Sequence, residues 1–136
     1  MKRIIVLFAL AGFLLAACSP AASASPLGEW TLVSYGDPSS PTPAAPGVET
    51  SIEFKADGTI SGNVGCNGFG GDYQVDGSAI TFGPIVSTLM FCEGPVGEQE
   101  SVTLAVFVET AGFQVNGETL TITSADGSSV VVLARK

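Results

Sequence analysis

The chain contains no histidine. That absence removes nucleophiles activated by an imidazole, such as Ser–His–Asp and Cys–His pairs, and every zinc site that needs a histidine ligand. Cations are scarce as well: five lysines and arginines face thirteen aspartates and glutamates, for a formal net charge of −8. Two of the five, Lys2 and Arg3, stand at the extreme N-terminus, so only Lys55, Arg135 and Lys136 oppose all thirteen acids. A surface of that sign repels phosphate backbones and anionic headgroups, and no nucleic-acid partner is expected. Long apolar runs are missing too. The longest, Ile4 to Leu15, spans twelve residues, against roughly twenty needed to cross a bilayer as a helix. The glycine-rich stretch Gly62 to Gly71 has no Lys-Ser/Thr after it, so a phosphate-cradling loop would lack its cation. A bulge or a tight strand bend explains those glycines instead.

What the N-terminus does hold is a leader. Lys2 and Arg3 supply a positive start, Ile4 to Leu15 an apolar stretch interrupted by Gly12, and Leu15-Ala16-Ala17-Cys18 an end of the type at which lipoproteins are cleaved and acylated. Residues 1–17 are expected to be a signal peptide and Cys18 the lipid acceptor. Two acyl chains on Cys18 would give stable membrane attachment. The competing reading is ordinary cleavage after the small pair Ala16-Ala17, leaving a secreted protein with a spare thiol. Ser19 to Pro26 has no core-forming residue and reads as a flexible tether, residues 18–26 counted from the anchor. One domain, 27–136, follows. The expected location is the cell envelope, on the extracytoplasmic face of a bacterial membrane, inner or outer left open.

That domain is punctuated like an antiparallel β protein. Trp30 to Tyr35 alternates, with Trp30, Leu32 and Ser34 on one face and Thr31, Val33 and Tyr35 on the other. The proline-rich segment Gly36 to Gly47 is expected to forbid regular pairing. Hairpin turns are marked by Asp57-Gly58, Asp76-Gly77, Asn116-Gly117 and Asp126-Gly127, where tolerance of positive φ is needed; the aspartates read as turn formers, not calcium ligands. Between Val96 and Ala111 the pattern changes: Leu104, Phe107, Val108 and Ala111 recur at helical spacing. Glu98 and Glu100 would sit in the first turn, complementing the helix dipole, and Gly112 would end the helix. The fold class is therefore α+β: an antiparallel meander of seven or eight strands curled into an incomplete barrel, with one inserted helix at about 96–111.

Two cysteines remain in the domain. In an oxidising compartment Cys66 and Cys92 pair, closing a loop worth about 3.5 kcal/mol by loop-closure entropy. Two reduced thiols packed as small apolar side chains are the alternative. A sulfur nucleophile is a weaker third, because no cation lies near either residue in sequence. Two cysteines without histidine make a poor metal site, so neither metal nor cofactor is expected. Asp72 with Glu98 or Glu100 is the available carboxylate pair for glycosidase-type chemistry.

Several runs together resemble a known family. Gly65-Cys66-Asn67, Gly71-Asp72-Tyr73, Ile80-Thr81-Phe82, Ser87-Thr88-Leu89-Met90-Phe91-Cys92 and Glu98-Gln99-Glu100 are similar to the META domain, the family that includes the bacterial heat-shock protein HslJ. The likeness runs from about Leu27 to Arg135. Its motif residues here are Cys66, Asn67, Tyr73, Thr88, Met90, Cys92 and Glu100. Leu89 departs from the pattern, standing where the family often has a basic residue. The resemblance implies a small α+β domain, frequently lipid-anchored or periplasmic, in a family associated with envelope or heat stress, drug tolerance and, in some parasites, motility and virulence. It implies no established reaction, so no catalytic residue is assigned and the chain is expected not to be an enzyme. Two functions follow as expectations. One is a lipid-anchored envelope module that docks an extracytoplasmic protein. The other is a carrier of a small apolar ligand in the barrel mouth, lined by Trp30, Tyr35, Phe54, Phe69, Tyr73 and Phe91. A packed interior would exclude the second.

Overall fold

Alternating apolar residues bring every long strand of the domain into one antiparallel sheet. The computed structural model describes residues 24–136; the leader and Cys18 lie outside them. In chain order the elements are β1 (Gly28–Gly36), β2 (Thr42–Pro43), β3 (Ser51–Phe54), β4 (Thr59–Asn63), β5 (Gly68–Asp76), β6 (Ala79–Phe82), β7 (Val86–Ser87), α1 (Gly94–Val106), β8 (Thr110–Asn116), β9 (Thr119–Thr123) and β10 (Val130–Arg135). Apart from the two-residue β2 and β7, neighbouring strands in the sheet follow one another in the chain, as a meander requires. The barrel, however, is closed. β1 pairs along β10 from Trp30↔Arg135 to Gly36↔Val130, joining the two ends of the meander. Eight strands form the ring, with β2 and β7 as short additions. Closure removes both open edges, each of which would otherwise expose a row of unpaired backbone groups.

β1 carries a bulge that alternation alone does not reveal. The register against β10 slips between Leu32 and Ser34, leaving Val33 as the extra residue. Trp30, Leu32 and Tyr35 therefore face the core together, whereas simple alternation put Tyr35 opposite them. At the slip, the Leu32 N–H donates to the buried Thr50 hydroxyl at 2.9 Å. The proline-rich segment does pair after all, through two exposed residues: Thr42 and Pro43 lie beside Tyr35 and Ser34 as an edge strand, where a missing N–H is tolerated. Two hairpins turn one residue later than the Asx-Gly reading, because Asp76 pairs Ala79 and Asn116 pairs Thr119. Gly77 and Gly117, both with φ +59, take the first loop position, as type II′ turns demand.

The interior is filled by side chains. Trp30, Ile52, Ile60, Ile80, Leu120, Ile122, Val131 and Leu133 are at most 1% exposed. Phe54 meets Tyr73 edge-on at 5.1 Å, and Phe107 packs on Phe82 and Phe69 at 5.0 and 5.9 Å. Arg135 lies 4.1 Å over the Trp30 ring. The folded part begins a residue before the expected boundary, because Pro26 is buried and its carbonyl accepts the Trp30 indole N–H at 2.7 Å.

The register gives the barrel two unlike ends. At the turn end are the β3–β4, β5–β6 and β8–β9 hairpins, the chain's entry at Pro26 and the close at Lys136. At the helix end are the long connections, residues 37–50, 64–67, 83–109 and 124–129. The helix runs over Gly94–Val106, shorter and shifted from 96–111. Pro95 opens it, pre-set for the first turn, so Glu98 and Glu100 fall beyond that turn. Its buried residues are Gln99, Thr103 and Val106, not the expected stripe. Ala111 and Gly112 belong instead to β8, where they pair with Ile80 and Ala79. Sheet pairing at this β-branched segment outweighs a helical periodicity that ran only one turn past Val106.

Candidate functional site

At the helix end, three segments of chain converge on one buried amide. Asn67 is 4% exposed and leads from the β4–β5 turn into β5. Its Nδ2 donates to Glu100 Oε1 at 2.7 Å and to the Met90 carbonyl at 3.0 Å. Its Oδ1 accepts the Thr88 hydroxyl at 2.7 Å and the Met90 N–H at 2.8 Å. The Asn67 backbone N–H donates to the other Glu100 oxygen. One side chain thus makes four hydrogen bonds to other segments, which occupy both donors and both acceptor sites of an amide, and its Nδ2 also lies 3.3 Å from the Cys66 sulfur. It ties the β4–β5 turn to the loop after β7 and to α1.

The neighbouring disulfide joins the same segments. Cys66 and Cys92 are bridged, with Cα atoms 6.2 Å apart. Of the alternatives open from sequence, the structure therefore has the paired form. On the loop-entropy relation a separation of 26 residues is worth about 3.5 kcal/mol. Gly97 lets the helix approach this bridge, since a Cβ there would overlap the Cys92 carbonyl oxygen. Gln99, fully buried, fastens the helix from its other side: its Nε2 donates to the Val64 carbonyl at 2.6 Å and its Oε1 accepts the Ala45 N–H at 2.7 Å.

The loop so held is unusual in what it presents. β6 and β7 are two pieces of one partner to β5, offset by a residue at Pro84-Ile85. Beyond β7, Thr88 donates its N–H to the Gly68 carbonyl at 3.0 Å. Leu89, Met90 and Phe91 then project into solvent, 95%, 62% and 87% exposed. Val86, beside them in β7, is exposed too. Clustered exposed apolar side chains of this size mark an interaction surface more often than isolated ones do.

Six of the expected motif residues meet here: Cys66, Asn67, Thr88, Met90, Cys92 and Glu100. Tyr73 does not. It sits in the barrel core, its hydroxyl donating to the Lys55 carbonyl at 2.8 Å near the turn end, and burial pushes its pKa up. Cys18 lies outside the described residues. Of the six aromatics proposed to line a ligand mouth, Trp30, Tyr35, Phe54, Phe69 and Tyr73 are buried core, while Phe91 points outward. An open groove of about 520 Å³ does exist, but on the outside of the barrel, lined by Pro38, Pro41, Gly112, Gln114, Thr121 and Val132. Asp72 and Glu100 do not converge: Asn67, which holds Glu100, is five residues from Asp72 along an extended strand, roughly 16 Å. Glycosidase carboxylates stand roughly 5–10 Å apart.

Sequence reasoning named Met90 and Phe91 without their joint exposure with Leu89, and missed Gln99 and Thr50 as anchors. The signal for the tip was present, since three consecutive large apolar residues between two polar anchors fit neither a helix face nor a strand face.

A family model, META domain, matches residues 25–136. The chain belongs to the META domain family. No curated protein is matched. Among solved structures, this META domain chain is similar to a protein from Burkholderia xenovorans solved by NMR, with a TM-score of 0.65 and 20% identity over 87% of this chain and 94% of that one. A second protein solved by NMR gives 0.62 and 20%, over 79% and 87% of the two chains. A crystal structure of a DUF4847 family protein from Bacteroides vulgatus gives 0.58 and 16%, over 80% and 92%. At such identities the likeness is one of fold.

Proposed function

We propose that this META domain protein is a lipid-anchored, non-enzymatic interaction module on the extracytoplasmic face of a bacterial membrane. It docks another envelope protein through the loop tip Leu89-Met90-Phe91. The observation that carries the reading is the pairing of extremes in that loop. Its apolar side chains are 62–95% exposed, while its backbone is fixed by a buried asparagine and a disulfide. Holding an apolar loop out of the core lowers the entropy cost of binding, and a filled barrel leaves its surface as the place to bind. The anchor rests on Leu15-Ala16-Ala17-Cys18 and the positive, apolar leader before it. A role under envelope stress follows from the family resemblance.

Mass spectrometry of the protein from native membranes tests the anchor: acyl chains on Cys18 are expected, and an unmodified terminus at Ser19 or Ala22 overturns it. Docking is tested by a photo-crosslinking residue placed at Leu89 and, as control, at Val75, which is partly exposed near the turn end. A discrete adduct from position 89 alone is expected. Equal or no adducts from the two positions refute the tip as the site.

A further inference from the structure

The tip sits in an electrostatically one-sided end of the molecule. Glu93 follows the disulfide directly, Glu98 is exposed on α1, and Glu100 bonds to the asparagine that holds Met90. Glu49, Glu109 and Asp126 stand on other connections of the helix end. Among the described residues the cations are Lys55, Arg135 and Lys136. All three are at the turn end, each in an ion pair, with Glu53, Glu118 and Glu29. The helix end therefore shows an apolar tip within an uncompensated acidic surround.

This placement decides between occupants. An anionic bilayer is repelled by the acidic rim. Entry and tip also lie at opposite ends of the barrel, which favours a tip facing away from the membrane under the anchoring proposed above. The chain enters at Pro26 on the turn end, whereas the tip is at the other end of strands up to nine residues long, roughly 30 Å. A second copy would bring two acidic rims together. We infer that the tip's partner is a cationic, apolar segment of another extracytoplasmic protein: leucine-like side chains receive Leu89 and Phe91, and lysines or arginines meet Glu93 beside them. The proposal rests on the docking reading and adds the partner's chemistry and the outward orientation of the site. Such charge complementarity acts mainly on encounter rate and on the rejection of wrong partners, and it weakens with salt.

The test uses the full acylated chain in nanodiscs of zwitterionic lipid, with empty discs as reference. Two fluorescent amphipathic helical peptides serve as probes, one with leucine and lysine faces, the other with glutamate in place of lysine. Fluorescence anisotropy should show binding of the lysine peptide and none of the glutamate peptide. L89S/F91S, which alters exposed side chains only, should weaken binding at least tenfold. E93Q should weaken it severalfold and flatten its salt dependence. Equal binding by L89S/F91S, or equal affinity for both peptides, overturns the inference. So does tip-dependent capture of phosphatidylglycerol vesicles, or a dimer in sedimentation that L89S/F91S abolishes. A specific crosslink from position 89 to an envelope protein, with no preference for the lysine peptide, would refute the cationic partner and leave the docking site standing.

Discussion

Replacing Asn67 by alanine is the sharpest test of how the loop is held. The change removes four side-chain hydrogen bonds to other segments, at 2.7, 3.0, 2.7 and 2.8 Å, together with the 3.3 Å contact to the Cys66 sulfur, and spares the backbone N–H to Glu100. A neutral hydrogen bond contributes about 1 kcal/mol net, and one to a charged group about 1.5–3 kcal/mol. Thr88 and the Met90 backbone lie near solvent, so water recovers part of what they lose. The expected loss for N67A is about 3–4 kcal/mol, a large share of the roughly 5–15 kcal/mol that a domain possesses. In urea the midpoint should fall by about 2 M with the slope unchanged, given slopes of about 1–3 kcal/mol/M. The single tryptophan, Trp30, is fully buried beneath Arg135 and reports the transition by fluorescence. A second readout is local: hydrogen exchange at the Thr88 and Met90 amides. Met90 should lose its protection in N67A, because its acceptor is gone, while Thr88 keeps the Gly68 carbonyl. N67D, which sets a second carboxylate against Glu100, should be worse than N67A at neutral pH. A midpoint shift under about 0.5 M with Met90 still protected would refute the amide as the element holding the loop.

Thr103 is wholly buried on α1 and its hydroxyl has no hydrogen-bond partner. Isosteric T103V should therefore stabilise the domain by about 1 kcal/mol in the same urea assay, and a destabilisation of that size would contradict the orphan assignment. Asp126 accepts the Ser128 N–H and the hydroxyls of Ser124 and Ser128, which hold its pKa down at about 2. A depressed folded-state pKa stabilises above the unfolded value near 4, and that contribution disappears as pH falls through about 2. An NMR titration of the Asp126 carboxyl should give a midpoint near 2 that S128A raises; a midpoint at the ordinary aspartate value would show that the turn does not hold the charge.

Much of this barrel is legible from local chemistry, because a half-buried strand and a tight turn each leave a mark within a few residues. Alternation at Ile52 and Phe54, or at Leu120 and Ile122, needs no partner to be recognised. Closure is different in kind: it depends on Trp30 meeting Arg135, more than a hundred residues away, and no short window contains both. The bulge at Val33 is hidden for a similar reason, since only the register with β10 exposes the slip that turns Tyr35 inward. The helix is legible in the sequence, but its bounds are not. Leu104, Phe107, Val108 and Ala111 satisfy a helical period, yet Ala111 is claimed by its pairing with Ile80. Six residues of the site were available as a family resemblance, without their arrangement. That Asn67 would be the hub follows only once β5, the loop after β7 and α1 are brought to one end of the barrel.

The division of labour within Ser87–Cys92 bears directly on function. Thr88 contributes a hydroxyl, Met90 its backbone N–H and carbonyl, and Cys92 a sulfur, all turned towards Asn67 and Cys66. Leu89 and Phe91 alternate with these anchors and are 95% and 87% exposed. In an extended segment, side chains on one face can be committed to fixing the loop while those on the other are free to vary. Replacing the anchors should cost stability. Replacing Leu89 or Phe91 should leave stability nearly unchanged and alter only what the loop binds. Under the docking proposed above, binding preference would be set by Leu89 and Phe91, whose exposure leaves the fold independent of them.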